Sequence, residues 1–284
     1  MKKVYFFLIS IFFLALGLSE INQAQSLRGI IESGITVANR LTAANIEMVR
    51  SNFDILSTTS DIKRTYRVLS AKQTYSIGVF ANEGVENLAL IVYEPVGNDW
   101  VEIARGDSAT WREYVSVAPT TTQLYRIDVV ANKFSSGYKY GYYNLFIASS
   151  TGIGSQKISN FMDATLSEIK TTETQYGYQA MCGEFDILNS SFTAKSMWRN
   201  LVGGIEYHLY ACFGSGIDDV DLSVYREVGT DWVYQRTREH CQSGTFIDVT
   251  PASDGFYRFD VQAHSELRSI KCVFPAVNID EKAR

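Results

Sequence analysis

The chain has no cysteine in its first 181 residues, and only 4 prolines and 3 histidines among its 284 residues. A fold stapled throughout by disulfides is thereby excluded, because more than half of the chain has nothing to pair. Scarce proline beside abundant Tyr, Phe, Val and Thr is the composition of packed strands, not of a disordered chain. There is no basic run and the net charge is −5, so the electrostatic footprint of a nucleic-acid binder is missing. No Gly-x-Ser-x-Gly, His-Glu-x-x-His or P-loop occurs. His240 stands beside Cys241, but adjacent strand residues face opposite ways, which argues against a catalytic pair.

The first residues have the order of a secretory leader. Met1-Lys2-Lys3 is basic, Val4 to Leu18 is almost wholly apolar, and small or polar residues follow up to Ala24. We expect a signal peptide over 1–24, with an uncleaved anchor helix as the alternative, and a secreted or periplasmic product. No later stretch is apolar enough to cross a bilayer, so no membrane span is expected after cleavage. Loss of Lys2, Lys3 and Glu20 leaves 24 basic and 30 acidic residues, a charge of −6.

What is present is a duplication. Shifting the chain by 132 residues superposes 53–131 on 185–263 without a gap and with 24 identities. Phe53-Asp54-Ile55-Leu56 meets Phe185-Asp186-Ile187-Leu188, and Gly97-x-Asp99-Trp100-Val101 meets Gly229-x-Asp231-Trp232-Val233. Tyr125-Arg126-x-Asp128-Val129 meets Tyr257-Arg258-x-Asp260-Val261. A repeat of this length is a duplicated domain, not a solenoid unit.

Each copy opens with a helical pattern: Leu27, Ile30, Ile31, Ile35, Ala38, Leu41 and Val49 in the first, and Ile158, Phe161, Met162, Leu166 and Ile169 in the second. Period-two alternation follows, as in Tyr75-x-Ile77-x-Val79 and Tyr125-x-Ile127-x-Val129, with turn residues between the runs. About eight short strands per copy with no helix between them exclude a parallel sheet. The expected fold is mainly β: two tandem antiparallel jelly-roll-like sandwiches, each preceded by an amphipathic helix. The expected domains are 25–149 and 156–284, joined by the small-residue linker 150–155.

Val220-Asp221-Leu222-Ser223-Val224-Tyr225 and Gly255-Phe256-Tyr257-Arg258-Phe259-Asp260-Val261 resemble strands of the bacterial pre-peptidase C-terminal (PPC) type of β-sandwich. Leu88–Tyr93 and Leu124–Val129 are similar in the first copy. The resemblance covers about 70 residues of each copy and neither helix. It implies accessory modules of secreted enzymes, some of which bind calcium or matrix substrates.

Positions common to both copies are mainly what the fold needs, and those that differ are free to carry specificity. Asp99-Trp100 and Asp231-Trp232 read as hairpin turns with the Trp packed on the sandwich, ligand stacking being the alternative. Arg126/Asp128 and Arg258/Asp260 lie opposite the core stripe and read as surface charge pairs. Asp218, Asp219 and Asp221 offer clustered hard oxygens for Ca²⁺, with a solvated acidic loop as the bland alternative. Trp111, Tyr138, Tyr140 and Tyr142 are candidate ligand-stacking residues, with core packing of some of them as the alternative. The expected disulfides are Cys182–Cys272 and Cys212–Cys241, since first and last strands of sandwiches often pair. The favoured expectation is a non-catalytic secreted protein that binds an extracellular protein, polysaccharide or surface partner. The alternatives are an extracellular polymer-degrading enzyme and a structural protein of the cell envelope.

Overall fold

The computed structural model describes residues 27–149, 156–186, 194–213, 220–241, 245–263 and 275–282. The first helix, α1 (Leu27–Ala43), buries Leu27, Ile30, Ile31, Ile35, Val37, Ala38 and Leu41. It ends six residues before the apolar periodicity does. Asn45 takes a left-handed φ of 57°. The Ile46 amide donates to the Leu41 carbonyl at 2.9 Å and the Asn45 amide to that of Thr42 at 2.9 Å. That is the double closure of a Schellman motif, and it turns the following residues into a strand.

Eight strands follow: β1 (Glu47–Ser57), β2 (Ile62–Leu69), β3 (Tyr75–Ala81), β4 (Val85–Val96), β5 (Asp99–Gly106), β6 (Arg112–Val117), β7 (Gln123–Phe134) and β8 (Tyr140–Ser149). One sheet carries the order β1-β8-β3-β6 and the other β2-β7-β4-β5, every pairing antiparallel. Strands 1, 3, 6 and 8 against 2, 4, 5 and 7 is the double Greek key of a jelly-roll sandwich, as the spacing of the strands predicts.

After the second helix, α2 (Gln156–Thr171), and a π-turn at Thr172–Tyr176, the same set returns. It comprises β9 (Tyr178–Phe185), β10 (Ala194–Leu201), β11 (Tyr207–Phe213), β12 (Val220–Val228), β13 (Asp231–Cys241), β14 (Thr245–Val249), β15 (Gly255–Ala263) and β16 (Pro275–Lys282). Their orders are β9-β16-β11-β14 and β10-β15-β12-β13. The chain divides into two compact units, residues 1–160 and 161–284, so the division falls inside α2.

The duplication extends to single hydrogen bonds. Tyr75 Oη accepts from the Ser70 amide at 3.0 Å, and Tyr207 Oη from the Val202 amide at 3.0 Å. Gly97 (φ 62°) and Gly229 (φ 66°) take the first central position of the two-residue hairpins β4–β5 and β12–β13, where only glycine sits without strain. Four pairs in from each turn, β5 and β13 carry a bulge at the same place, between the partners of Val92/Tyr93 and Val224/Tyr225.

The unit 1 core lies between its sheets and includes Leu56, Ile77, Leu90, Tyr125, Ile127 and Leu145. The unit 2 core holds Leu209, Leu222, Val224, Tyr257, Phe259 and Val261 in the corresponding places. Each such side chain contributes about 1.5–3 kcal/mol on burial. In unit 1, α1 packs on β1 and β8, and every residue of β3 is buried. Gly78 on β3 has no room for a side chain: a Cβ there would stand 2.3 Å from the Phe146 ring.

The seam between the first two strands of each unit is polar. In unit 1, Asn52 Nδ2 donates to Thr65 Oγ1 at 3.1 Å, and Lys63 Nζ stands 3.6 Å from Asp54. In unit 2, Lys195 Nζ lies 2.7 Å from Glu184 and 2.8 Å from Asp186, both buried. No described helix is long and apolar enough to cross a membrane.

Candidate functional site

With α1 packed on β1 and β8 of one sheet, the outer face of β2-β7-β4-β5 is a four-strand surface on which no helix packs among the described residues. Antiparallel partners point to the same side. The pairs Tyr66–Arg126, Tyr93–Arg126 and Tyr93–Glu102 therefore form one continuous row across four strands. Pro95 opposite Trp100 lies on one side of it, and Arg64, Asp128, Ile91 and Arg105 on the other.

Arg126 is the centre of this face. Its guanidinium carbon lies 4.0 Å from the Tyr93 ring centroid and 5.6 Å from that of Trp100, and the Tyr66 and Trp100 rings are 5.8 Å apart. Asp128 anchors it at 3.1 Å, with Arg64 at 3.7 Å from the same carboxylate. Burial pushes the Asp128 carboxyl above its usual range, against the pull of Arg126 and then Arg64. Asp128 is only 4% exposed, so the expected surface pair is in fact a buried carboxylate under two guanidiniums. Glu102 is held below the usual range by its hydrogen bonds from Arg105. Exposed aliphatics complete the rim: Ile62, Val68 and Leu124.

Unit 2 repeats the centre. Trp198, Arg258, Tyr225 and Tyr234 form the matching row. Arg258 lies 4.5 Å from the Tyr225 ring and 5.1 Å from that of Trp232, with Asp260 at 3.0 Å. Around it Tyr225 meets Tyr234 edge-on at 5.9 Å and Trp232 lies 5.9 Å from Phe256. The next row is hydroxylic: Ser196, Asp260, Ser223 and Thr237, with the Ser223 and Thr237 oxygens 2.8 Å apart.

The aromatic candidates read from sequence lie elsewhere. Tyr138 and Tyr140 are exposed, and Tyr140 and Tyr142 meet edge-on at 6.0 Å. Tyr138 Oη donates to Glu83 at 2.7 Å, a bond that raises its pKa. Tyr143 is buried in the core, as strand alternation requires. Trp111, whose carbonyl accepts from the Ala81 amide, is on the other side of β3 from Tyr142, with Arg112 over its ring at 5.3 Å. The sequence candidates thus make a small tyrosine cluster with Trp111 apart from it.

Of the calcium candidates, Asp218 and Asp219 lie outside the described residues, and Asp221 is half-buried on β12 opposite Gln262. Cys272 and the side chains of Cys212 and Cys241 lie outside them too. Cys182 is buried within β9, and Arg199 Nε reaches its sulfur at 3.1 Å. First and last strands do pair in both units, β1 with β8 and β9 with β16.

Sequence reading missed Tyr66, Tyr93, Trp198, Tyr225 and Tyr234. The available signal was parity: Tyr93 and Tyr225 are shared by the copies and alternate out of phase with the core stripe Leu90-x-Val92. It also passed over His208. The ring Nδ1 is 2.7 Å from Asp248, and the ring stacks 4.8 Å from Phe246. Among the described residues no hydroxyl or thiol bonds the other ring nitrogen.

No family model matches the chain, and no curated protein matches it. Among solved structures it is similar to the M60 catalytic domain with two CBM51 domains from Clostridium perfringens ZmpB, at 8% identity over 80% of this chain and 34% of that one, TM-score 0.23. It is similar to tripeptidyl peptidase 2 at 9% identity over 79% of this chain and 22% of that one, TM-score 0.26. It is similar to the PBSX exported protein XepA at 10% identity over 91% of this chain and 88% of that one, TM-score 0.24. The chain spans about a third or less of the first two, and scores of this size carry no argument about what it does.

Proposed function

We propose that the chain is a secreted, non-catalytic β-sandwich protein that binds an extracellular protein, polysaccharide or surface partner through the outer faces of β2-β7-β4-β5 and β10-β15-β12-β13. One observation carries the reading. Both units present the same preassembled centre on the same face, an arginine stacked between a tyrosine and a tryptophan and tied to an aspartate. Rigid aromatic and guanidinium groups left at the surface are the residue types that dominate binding interfaces. Two such faces on one chain also favour repetitive or multivalent partners, where linked weak sites gain avidity.

The test is to screen the chain lacking residues 1–24 against a panel of purified polysaccharides and extracellular matrix proteins by surface plasmon resonance. Saturable binding to a panel member, weakened by Trp100→Ala or Trp232→Ala, is the expected result. Binding indifferent to both variants overturns the location of the site. Hydrolysis of a panel member overturns the non-catalytic reading.

A further inference from the structure

We infer that the unit 2 face takes the sugar rings of an uncharged polysaccharide. This rests on the binding function proposed above and narrows it to one face and one ligand class.

Five aromatic side chains surround a single guanidinium there: Trp198, Tyr225, Trp232, Tyr234 and Phe256. Trp198 is 43% and Tyr234 54% exposed, and they end the central row. Strands stand ~4.8 Å apart, so this four-strand row is roughly 14 Å from end to end, the length of a short oligosaccharide. A pyranose ring has an apolar face of C–H bonds and a periphery of hydroxyls. The aromatic row offers π-faces to the first, and the adjoining row of Ser196, Asp260, Ser223 and Thr237 offers hydrogen-bonding groups to the second.

Charge selects within the sugars. Arg258 is neutralised by Asp260 at 3.0 Å, and the further charges that register places on this face, Glu227 opposite Trp232 and Asp221 opposite Gln262, are negative. An anionic polymer gains nothing there, and an uncharged one loses nothing. The exposed aliphatics Ile62, Val68 and Leu124 belong to the unit 1 face, and the unit 2 rows contain none.

Affinity electrophoresis of the chain lacking residues 1–24 in gels cast with xylan, glucomannan, mixed-linkage β-glucan, alginate or heparin tests this. At least one uncharged polymer should retard the chain, equally at low and high salt. Trp198→Ala/Tyr234→Ala should weaken that retardation about tenfold or more. Trp198→Phe should keep most of it, and Tyr66→Ala/Leu124→Ala should leave it unchanged. Circular dichroism of each variant confirms that these exposed substitutions leave the fold intact. Retardation only by alginate or heparin, lost in salt, overturns the inference, as does retardation that survives Trp198→Ala/Tyr234→Ala. If no polysaccharide retards the chain but a matrix protein binds through Trp100, the glycan inference falls and the general binding function stands. If neither class binds, both fall.

Discussion

The exposed faces of the two units agree at the centre and part at the rim. Arg126 and Arg258 stack on equivalent tyrosines and tryptophans, but unit 1 surrounds its centre with Ile62, Val68, Leu124, Arg64 and Arg105, and unit 2 with Trp198, Tyr234, Phe256, Ser196 and Thr237. The hidden parts diverge in the same way. The polar seam of unit 1 pairs one lysine with one carboxylate beside a neutral Asn52, whereas that of unit 2 sets one lysine between two buried carboxylates. Gly78 faces Phe146 on β3 and β8, whereas the equivalent pair in unit 2 is Tyr210 and Asn278. One backbone plan has therefore been kept while the residues at equivalent register positions were exchanged. That exchange frees each surface to specialise.

The largest expected effect comes from the seams. Lys195→Met removes the cation shared by Glu184 and Asp186, the latter 1% exposed. Removing one member of a buried charge network costs about 3–5 kcal/mol. Lys63→Met should cost about 1 kcal/mol, because its carboxylate partner Asp54 is 3.6 Å away and the lysine is more exposed. Urea denaturation of the full chain with each variant measures both. Equal costs would dissolve the contrast between the seams.

Next in size is the Gly78 position. Gly78→Ala should cost ~1–3 kcal/mol, since the new methyl group overlaps the buried Phe146 ring. Pairing it with Phe146→Leu should cost less than the sum of the two single changes, because the second opens the space that the first fills. Additive costs in thermal melts would show that the two positions do not compensate each other.

Much of this architecture was legible in the sequence. The ungapped 132-residue register fixed the repeat, and short connections between alternating runs pointed to an antiparallel sandwich. The end of α1 was not legible, because apolar residues continue through Met48 and Val49 at helical spacing while Asn45 turns the backbone. The exposed centre was half legible. Trp100, Arg126 and Asp128 stood out as shared, and shared residues were credited mainly to the fold. Internal identity cannot separate a duplicated packing need from a duplicated surface. Knowing which sheet α1 packs on makes that separation, and sequence does not give it. Strand pairing likewise brings Tyr66 and Trp198, distant in sequence from Arg126 and Arg258, into their rows.

The two arginine stacks should be close in strength but not equal. Arg126→Lys and Arg258→Lys each keep the charge and lose the planar stack, costing roughly 0.5–1 kcal/mol. The loss should be greater for Arg126, which is closer to its tyrosine and bonded to the more deeply buried aspartate. Denaturation midpoints in the reverse order would mean that the rim, not the stack, sets the stability of these faces.

The smallest effect is a dependence on pH that centres on Asp128 in unit 1. Burial raises the folded pKa of Asp128 above its unfolded value near ~3.9. The native chain therefore holds this proton more tightly than the unfolded chain does. The stability it contributes is complete below the unfolded pKa and is lost as pH rises through the folded one. Asp128→Asn lacks that loss, so the variant should gain stability relative to the parent as pH climbs through this acidic window and then run parallel to it. Arg64→Ser installs the residue that unit 2 has at position 196 and removes one cation that holds the carboxyl down. It should extend the window toward higher pH. Thermal melts at closely spaced pH values would show a flat difference if the two guanidiniums already cancel the burial of Asp128.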